Sequence, residues 1–207
     1  RLVNSLSIPI VDYISVRKDT DCTDIIKTIN KTIEFPCFTK PTNLGTCAFV
    51  FKADNKKEFE KKWNYVIKEN KYSDNYIIEK YIPNIEVRVF VYEDFKGNLH
   101  TNDEYVTILN EEAVGNTGVL FDHIENKLHP RIRKQLSRYA MKIFKVFTMK
   151  DYCRIDFFIE TQTNKIYFNE ANTQPFIGSS AIDSFQKTGL TYLSFIDMMI
   201  AKNLPHH

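Results

Sequence analysis

The sequence predicts an α+β fold. Segments that alternate polar and apolar residues, typical of strands, are mixed with segments whose apolar residues recur at every third or fourth position, typical of helices. The two kinds do not follow the regular strand–helix–strand order of a doubly wound sheet. Of the 207 residues, 43% are hydrophobic and 27 are Phe or Tyr (16 Phe, 11 Tyr), so the chain can bury a core and is not disordered over most of its length.

Four segments have helical spacing. In the clearest, Ile132, Leu136, Ala140 and Ile143 form one apolar stripe after Pro130. The predicted helices are residues 21–31, 55–70, 130–147 and 190–201.

Shorter apolar or alternating segments predict strands between these helices. Two pairs are expected to form hairpins: 35–40 with 48–52, and 152–160 with 165–170. The other predicted strands are 75–81, 86–92 and 99–109, with a short one near residue 16; the predicted loops are 42–47, 110–126 and 172–180.

Charge and cysteine content exclude several protein classes. With a net charge of +2 the chain is not a protein that coats nucleic acid. Neither a signal peptide nor an uncharged apolar run long enough to cross a membrane is visible in this sequence, so we expect neither secretion nor membrane insertion. Cys22, Cys37, Cys47 and Cys153 form no CxxC pair, which favours free thiols in a reducing compartment. Because the first residue is Arg1 rather than Met, we expect the chain to start within a longer protein.

The strongest candidate site lies near the C-terminal end. Alternation along the strand 152–160 points Arg154, Asp156 and Phe158 to one face. If the next strand pairs with it as a hairpin, Glu170 and Asn172 converge on Asp156. Three oxygen ligands without His or Cys are typical of Mg²⁺, which keeps its other positions for water and phosphate.

A simpler interpretation of Arg154 and Asp156 stays open. Two opposite charges on one face of a strand can be an ion pair on an exposed surface, with no ligand involved. The Glu-x-Asn pattern of Glu170 and Asn172 at the end of the next strand favours the metal site over this alternative.

Two weaker clusters lie earlier in the chain. Lys40 ends an apolar strand and precedes a loop with Gly45, Thr46 and Cys47, which can cradle a phosphate, although it is neither a Walker-type nor a Rossmann loop. The local pattern by itself favours the simpler interpretation, a solvated lysine at a hairpin tip.

The other weak cluster surrounds the break at Pro83. The strand before it ends in Glu79 and Lys80, and Glu86 after it can accept two hydrogen bonds from a sugar diol. The segment by itself favours a simpler interpretation, in which Glu79 and Lys80 are surface residues of an amphipathic strand.

Taken in order, the clusters resemble the ATP-grasp superfamily, and within it the D-alanine–D-alanine ligases. The resemblance covers nearly the whole chain, from about Pro9 to Leu204. It rests on the segments Phe38-Thr39-Lys40-Pro41, Ile78-Glu79-Lys80-Tyr81-Ile82, Arg154-Ile155-Asp156-Phe157-Phe158 and Asn169-Glu170-Ala171-Asn172-Thr173-Gln174-Pro175.

The resemblance implies a role for each matching residue. Asp156, Glu170 and Asn172 are expected to hold Mg²⁺, and Arg154 to stabilise the negative charge that develops in the reaction. The residues expected to bind ATP are Lys40 at the phosphates, Gly45, Thr46 and Cys47 in the covering loop, Glu79 with the backbone of Lys80 and Ile82 at the adenine, Glu86 at the ribose, and Phe38 and Phe158 on the faces of the base.

The same resemblance implies a fold and an activity. It implies two α+β lobes with antiparallel sheets that enclose a nucleotide cleft, with a small lobe at 35–82 and a large lobe at 83–207, while residues 1–34 connect to a preceding domain. The implied activity is ATP-dependent joining of a carboxylate and an amine through an acyl phosphate, in the cytoplasm, for peptidoglycan biosynthesis. Nucleic acid and membrane are not expected partners; family members often form homodimers.

The chain departs from the family pattern in two regions. Residues 97–126 contain no Lys or Arg, although the family places a phosphate-contacting lysine in this region; only His100 and His123 offer positive charge there. Ala181 falls where the family has a serine that holds the second amino acid, so Ser179 and Ser180 are the candidate substitutes.

These departures leave other functions open. One is a ligase or kinase of the same superfamily that acts on another small molecule. Another is a truncated nucleotide-binding domain without turnover.

Overall fold

The computed structural model describes residues 2–44, 48–101, 107–109, 121–123, 128–175 and 190–204. The chain divides into two compact units. The smaller unit is Val11–Ile82, and the larger unit is Pro83–His207 together with Arg1–Ile10. The predicted division at 1–34, 35–82 and 83–207 stays a prediction; residues 11–34 pack within the smaller unit.

The smaller unit consists of a four-stranded antiparallel sheet and two helices. Its elements in chain order are β1 (Tyr13–Arg17), α1 (Cys22–Thr32), β2 (Cys37–Pro41), β3 (Phe51–Ala53), α2 (Lys56–Glu69) and β4 (Asn75–Lys80). The strand order is β1-β4-β2-β3. Both helices start at a side-chain cap that accepts a backbone N–H: Asp21 from Thr23, and Asn55 from Glu58.

The apolar stripes of both helices pack on one face of this sheet. The core is rich in aromatic rings: Phe59 stacks on Trp63 with ring centroids 5.9 Å apart, and Trp63 meets the edge of Tyr76 at 5.0 Å. Tyr76 is fully buried, and its hydroxyl accepts a 2.7 Å hydrogen bond from the buried Asn70 amide. The opposite face of the sheet therefore carries the side chains of Phe38, Lys40 and Glu79.

The larger unit is built on an antiparallel sheet of six strands. Its strands are β5 (Asn84–Glu93), β6 (Leu99–Thr101), β7 (Thr107–Leu109), β8 (Phe121–His123), β9 (Tyr152–Glu160) and β10 (Ile166–Asn172), and its long helices are α3 (Pro130–Val146) and α4 (Tyr192–Asn203). The order is β10-β9-β5-β7-β8, and β6 pairs with β5. A single helical turn, Leu2–Ser5, precedes these elements in the chain.

The two faces of this sheet differ in character. Alternate residues of β5 and β9, among them Val87, Val89, Ile155 and Phe157, are fully buried in the core that also contains the apolar stripe of α3. The residues between them, including Glu86, Arg88, Arg154 and Asp156, point to the other face. At one end of that face, Phe195 of α4 packs against Tyr92, Tyr152 and Phe90. Because α3 packs on the apolar face of the sheet, the charged residues of β5 and β9 lie on the opposite face.

The α+β prediction is confirmed, and most element bounds differ by a few residues. Two predictions were wrong in kind. The segment 99–109 contains two separate strands, β6 and β7, and the expected loop 110–126 contains β8. All three strands are only three residues long, so alternation in the sequence gives little signal for them.

No helix in the described ranges is long and apolar enough to cross a membrane.

Replacing Tyr76 by Phe tests the buried polar pair of the smaller unit. The Asn70 amide would lose its acceptor while staying buried, which costs about 1–3 kcal/mol of unfolding free energy. Urea unfolding followed by the fluorescence of Trp63, the one tryptophan of the chain, measures this directly. Tyr65→Phe is the matched control, because Tyr65 is 63% exposed, and it should change the unfolding free energy by less than about 0.5 kcal/mol. Equal losses in both variants would contradict the importance of the Asn70–Tyr76 bond.

Candidate functional site

The candidate site is a cluster of charged side chains on the sheet face of the larger unit that lies opposite α3. The predicted hairpin forms: β9 and β10 pair antiparallel, with Glu170 opposite Asp156 and Asn172 opposite Arg154. A register shift between Phe168 and Glu170 is part of this pairing. Because the extra residue of a bulge changes which side chains share a face, it brings Glu170 and Asn172 to the face of Asp156.

Asp156 is the centre of this cluster. Its side chain is 1% exposed, and it accepts two hydrogen bonds of 2.8 Å from Nε and Nη2 of Arg154. A carboxylate this deeply buried requires such compensation, and the parallel pair of bonds is the strongest form that a side chain can provide. The simpler interpretation from the sequence was an ion pair of Arg154 and Asp156 on an exposed surface. The ion pair is confirmed, but the exposure is wrong, because Asp156 is buried.

Other charges surround this pair. Nη2 of Arg154 lies 3.6 Å from Oε1 of Glu170, whose side chain is 59% exposed. Arg88 of β5 lies opposite Asp156 in the sheet, and its Nε is 3.9 Å from Oδ2 of Asp156 and 3.4 Å from Oε1 of Glu86. Three carboxylates and two guanidinium groups thus share a small area of one sheet face.

The burial of this face affects the ionisation of its members. Burial, together with the charge of Asp156, raises the pKa of Glu86 to about 7, and Arg88 only partly opposes this rise. Burial disfavours the charge on Arg154, but its hydrogen bonds with Asp156 and the charge of that carboxylate raise its pKa above the usual value. Arg154 therefore stays a cation, while Glu86 exchanges a proton near neutral pH.

The donor set of Asp156, Glu170 and Asn172 fits Mg²⁺. Two carboxylates and an amide oxygen on adjacent register positions are hard ligands, and Mg²⁺ is commonly bound by one or two carboxylates together with water and phosphate. Within the described ranges, no three His, Cys, Asp or Glu side chains form a complete metal cage. The Asn172 Oδ1 also accepts a hydrogen bond from the Gln174 N–H, which fixes its direction.

The sheet of the smaller unit carries a second charged pair. Lys40 Nζ lies 3.0 Å from Oε2 of Glu79, and their side chains are 22% and 15% exposed. Lys40 is therefore not the freely solvated lysine of the simpler interpretation. Phe38 lies opposite Glu79 in the register of β2 and β4, and the Lys80 N–H donates to the Asp12 carbonyl at 2.9 Å.

The remaining predicted residues divide into two groups. Phe158 lies on β9 opposite Glu86, and Ile82 is buried at the end of the smaller unit. The predicted loop residues Gly45, Thr46 and Cys47 and the predicted substrate residues Ser179 and Ser180 lie outside the described part of the chain.

Sequence reasoning missed one charged member of the cluster, Arg88. The signal was present: alternation along the strand around Glu86 places residues 86, 88 and 90 on one face. The predicted strand 86–92 contains Arg88, but the resemblance assigns a role only to Glu86 in this strand.

Comparison with solved structures identifies the fold. The VanG D-Ala:D-Ser ligase from Enterococcus faecalis matches over 98% of this chain and 59% of its own, with a TM-score of 0.81 and 19% identity. The D-alanine–D-alanine ligase from Bacillus anthracis, solved as a complex with ATP, matches over 97% of this chain and 61% of its own, with a TM-score of 0.71 and 19% identity. The predicted ATP-grasp fold is thereby confirmed.

Comparison of sequences identifies the family. The family model described as D-ala D-ala ligase C-terminus matches residues 2–201, and the chain belongs to this family. The D-alanine–D-alanine ligase of Acetivibrio thermocellus is 29% identical over 212 residues, which are 93% of this chain and 53% of that protein. The ligase of Borrelia duttonii is 28% identical and is matched over 57% of its length. The chain thus spans about half the length of the curated relatives it matches.

The ionisation of Glu86 gives a testable dependence of stability on pH. A folded-state pKa of about 7, above the usual value of 4.5, means that the folded protein binds more protons between these pH values. The contribution of Glu86 to stability is therefore greatest at acidic pH and is lost as the pH rises through 7. We expect Glu86→Gln to raise the unfolding temperature at pH 8 and to change it little at pH 5.

Thermal unfolding of both proteins at the two pH values provides the measurement. Glu60→Gln, at an exposed position of α2, is the control for removing one carboxylate. A variant that is equally stabilised, or destabilised, at both pH values would show that Glu86 is charged in the folded protein throughout this range.

Proposed function

We propose that this chain provides the nucleotide-binding and metal-binding residues of an ATP-dependent carboxylate–amine ligase that joins D-alanine to D-alanine. The family membership and the names of the relatives support the reaction class. The observation that carries the proposal in this chain is the buried Asp156, paired with Arg154 and opposite Glu170. For such an enzyme we propose a cytoplasmic location and a role in peptidoglycan synthesis.

Asp156, Glu170 and Asn172 would hold the metal. Mg²⁺ bound to these oxygens supplies charge neutralisation for the phosphate groups of ATP. The three residues differ in their surroundings: Asp156 is buried and paired with Arg154, Asn172 accepts a hydrogen bond from the Gln174 N–H, and Glu170 has a side chain that is 59% exposed.

Arg154 would stabilise the negative charge of the reacting carboxyl group. A carboxylate is a poor electrophile, so the ligase first transfers the γ-phosphoryl group of ATP to it and forms an acyl phosphate. Attack by an amine then places negative charge on the former carbonyl oxygen, and the amide forms when the C–O bond to phosphate breaks, inorganic phosphate leaves and the amine loses a proton. A guanidinium fixed in place by Asp156 needs no reorganisation to meet this charge. Such contacts lower the activation free energy by on the order of 3 kcal/mol.

The other predicted residues would contact ATP. Lys40 would bind phosphate oxygens, and its ion pair with Glu79 keeps its ammonium on the sheet face away from the helices. Glu79, with the backbone of Lys80 and Ile82, would hold the adenine, and Glu86 would accept the ribose hydroxyls. The further proposed contacts are Phe38 and Phe158 with the base, and Gly45, Thr46 and Cys47 with the phosphates.

The acceptor amino acid has two candidates. One structural neighbour is a D-Ala:D-Ser ligase, so D-serine is a second candidate for the acceptor. We propose Ser179 and Ser180 as the residues that hold the acceptor carboxylate. A ligase or kinase for another small molecule is the broader alternative.

Replacing Glu170 by Gln tests the metal assignment. Because the Glu170 side chain is 59% exposed, the substitution should leave the fold intact while it removes one charged ligand. With ATP, Mg²⁺ and D-alanine we expect the unaltered protein to form ADP and dipeptide in equal amounts, and the variant to be slower by about 100-fold or more. A coupled ADP assay and mass spectrometry of the product measure both.

Three further reactions make the result decisive. Glu60→Gln, which replaces an exposed carboxylate on α2, should keep the full rate. Addition of D-serine tests for a mixed dipeptide, and a stable phosphorylated product isolated from a reaction with N-acetyl-D-alanine would indicate a kinase. Full turnover by Glu170→Gln would contradict the proposed metal site.

A further inference from the structure

Arg88 occupies the centre of the charged face without a role in the function proposed so far. It is on β5, opposite Asp156, and its side chain is 19% exposed. Its guanidinium lies between two carboxylates, with Nε 3.4 Å from Oε1 of Glu86 and 3.9 Å from Oδ2 of Asp156. The positive charge of a largely buried arginine beside a proposed metal ligand changes the affinity of this face for a cation or an anion.

The two arginines of the face differ in their distances to these carboxylates. Arg154 makes two hydrogen bonds of 2.8 Å with Asp156, whereas the contacts of Arg88 with Glu86 and Asp156 are 3.4 Å or longer. Strong bonds between a guanidinium and a carboxylate are about 2.7–2.9 Å long. An anion within about 2.9 Å of the Arg88 guanidinium would therefore bind it more strongly than either of these carboxylates does.

Ligands that bind to this face change its electrostatic balance. A divalent cation at Asp156 would lie close to both guanidinium groups, and this repulsion opposes binding of the cation by itself. Phosphate oxygens that accompany the cation reverse the balance, because they attract the same guanidinium groups. Residues 97–126, which follow β5 in the sequence, contain no Lys or Arg that could attract these phosphate oxygens.

We propose that Arg88 is a phosphate-binding residue: it weakens binding of a divalent cation to this face in the absence of phosphate and strengthens binding of the cation together with a nucleotide. The inference rests on the proposed function and extends it by one residue. Its consequence is that the site favours the metal–nucleotide complex over the free metal.

The substitution Arg88→Gln tests this inference, because the two effects have opposite signs. We expect the affinity for Mn²⁺ alone, measured by electron paramagnetic resonance, to increase severalfold. We expect the affinity for a non-hydrolysable ATP analogue with Mg²⁺, measured by calorimetry, to decrease about tenfold or more, since a charge-assisted hydrogen bond is lost. A residue with a purely structural role would change both affinities in the same direction.

Two further variants support the interpretation. Arg88→Lys keeps the charge and loses the planar fork, so we expect its Mn²⁺ affinity to stay near that of the unaltered protein and its affinity for the analogue to fall only a few-fold. Arg138→Gln removes an exposed arginine from α3 in the same unit and should change neither affinity. Circular dichroism establishes that each variant is folded, and Arg88→Lys provides the test if Arg88→Gln is not.

The outcomes separate this inference from the proposed function. If the unaltered protein binds the analogue and the Arg88 variants bind it equally well, the role of Arg88 is wrong and the proposed function stands. Loss of affinity for both probes also overturns the inference. If the unaltered protein does not bind the analogue with Mg²⁺, the proposed function fails and the inference fails with it.

Discussion

The burial of one carboxylate, Asp156, is the constraint on which the larger unit depends. An unpaired charge in this position would be too costly to keep, so the sheet places Arg154 two residues away on the same strand and Arg88 directly opposite on the next. The apolar residues between these charges pack with α3 and fix the strands that carry them. Core packing on one face therefore determines the geometry of the charged cluster on the other.

Alternation along single strands was sufficient to predict much of this arrangement. The sequence pattern correctly placed Arg154 and Asp156 on one face and correctly paired their strand with the one that carries Glu170. The long amphipathic helix α3 was equally predictable, because residues such as Leu136 and Ile143 recur at helical spacing and are buried as expected. The order of the motifs along the chain, which resembles that of ATP-grasp proteins, also led to the right fold.

Other features depend on neighbours that a sequence does not show. The position of β5 between β7 and β9, which brings Arg88 to Asp156, follows from the order of strands in the sheet and not from any local pattern. The pairing of Lys40 with Glu79 joins residues that lie far apart in the sequence, and the raised pKa of Glu86 reflects burial that the alternation of its strand does not reveal. The three-residue strands β7 and β8 carry too few residues for any periodicity.

A crystal structure of the chain with Mn²⁺ and a non-hydrolysable ATP analogue tests the central claim most directly. The anomalous signal of manganese locates the metal independently of any assumption about its ligands. We predict a peak within about 2.3 Å of oxygens of Asp156 and Glu170, and in contact with phosphate oxygens of the analogue. A metal–nucleotide complex bound away from Asp156, with the Arg154 pair and Glu170 unengaged, would contradict the assignment of this face as the site.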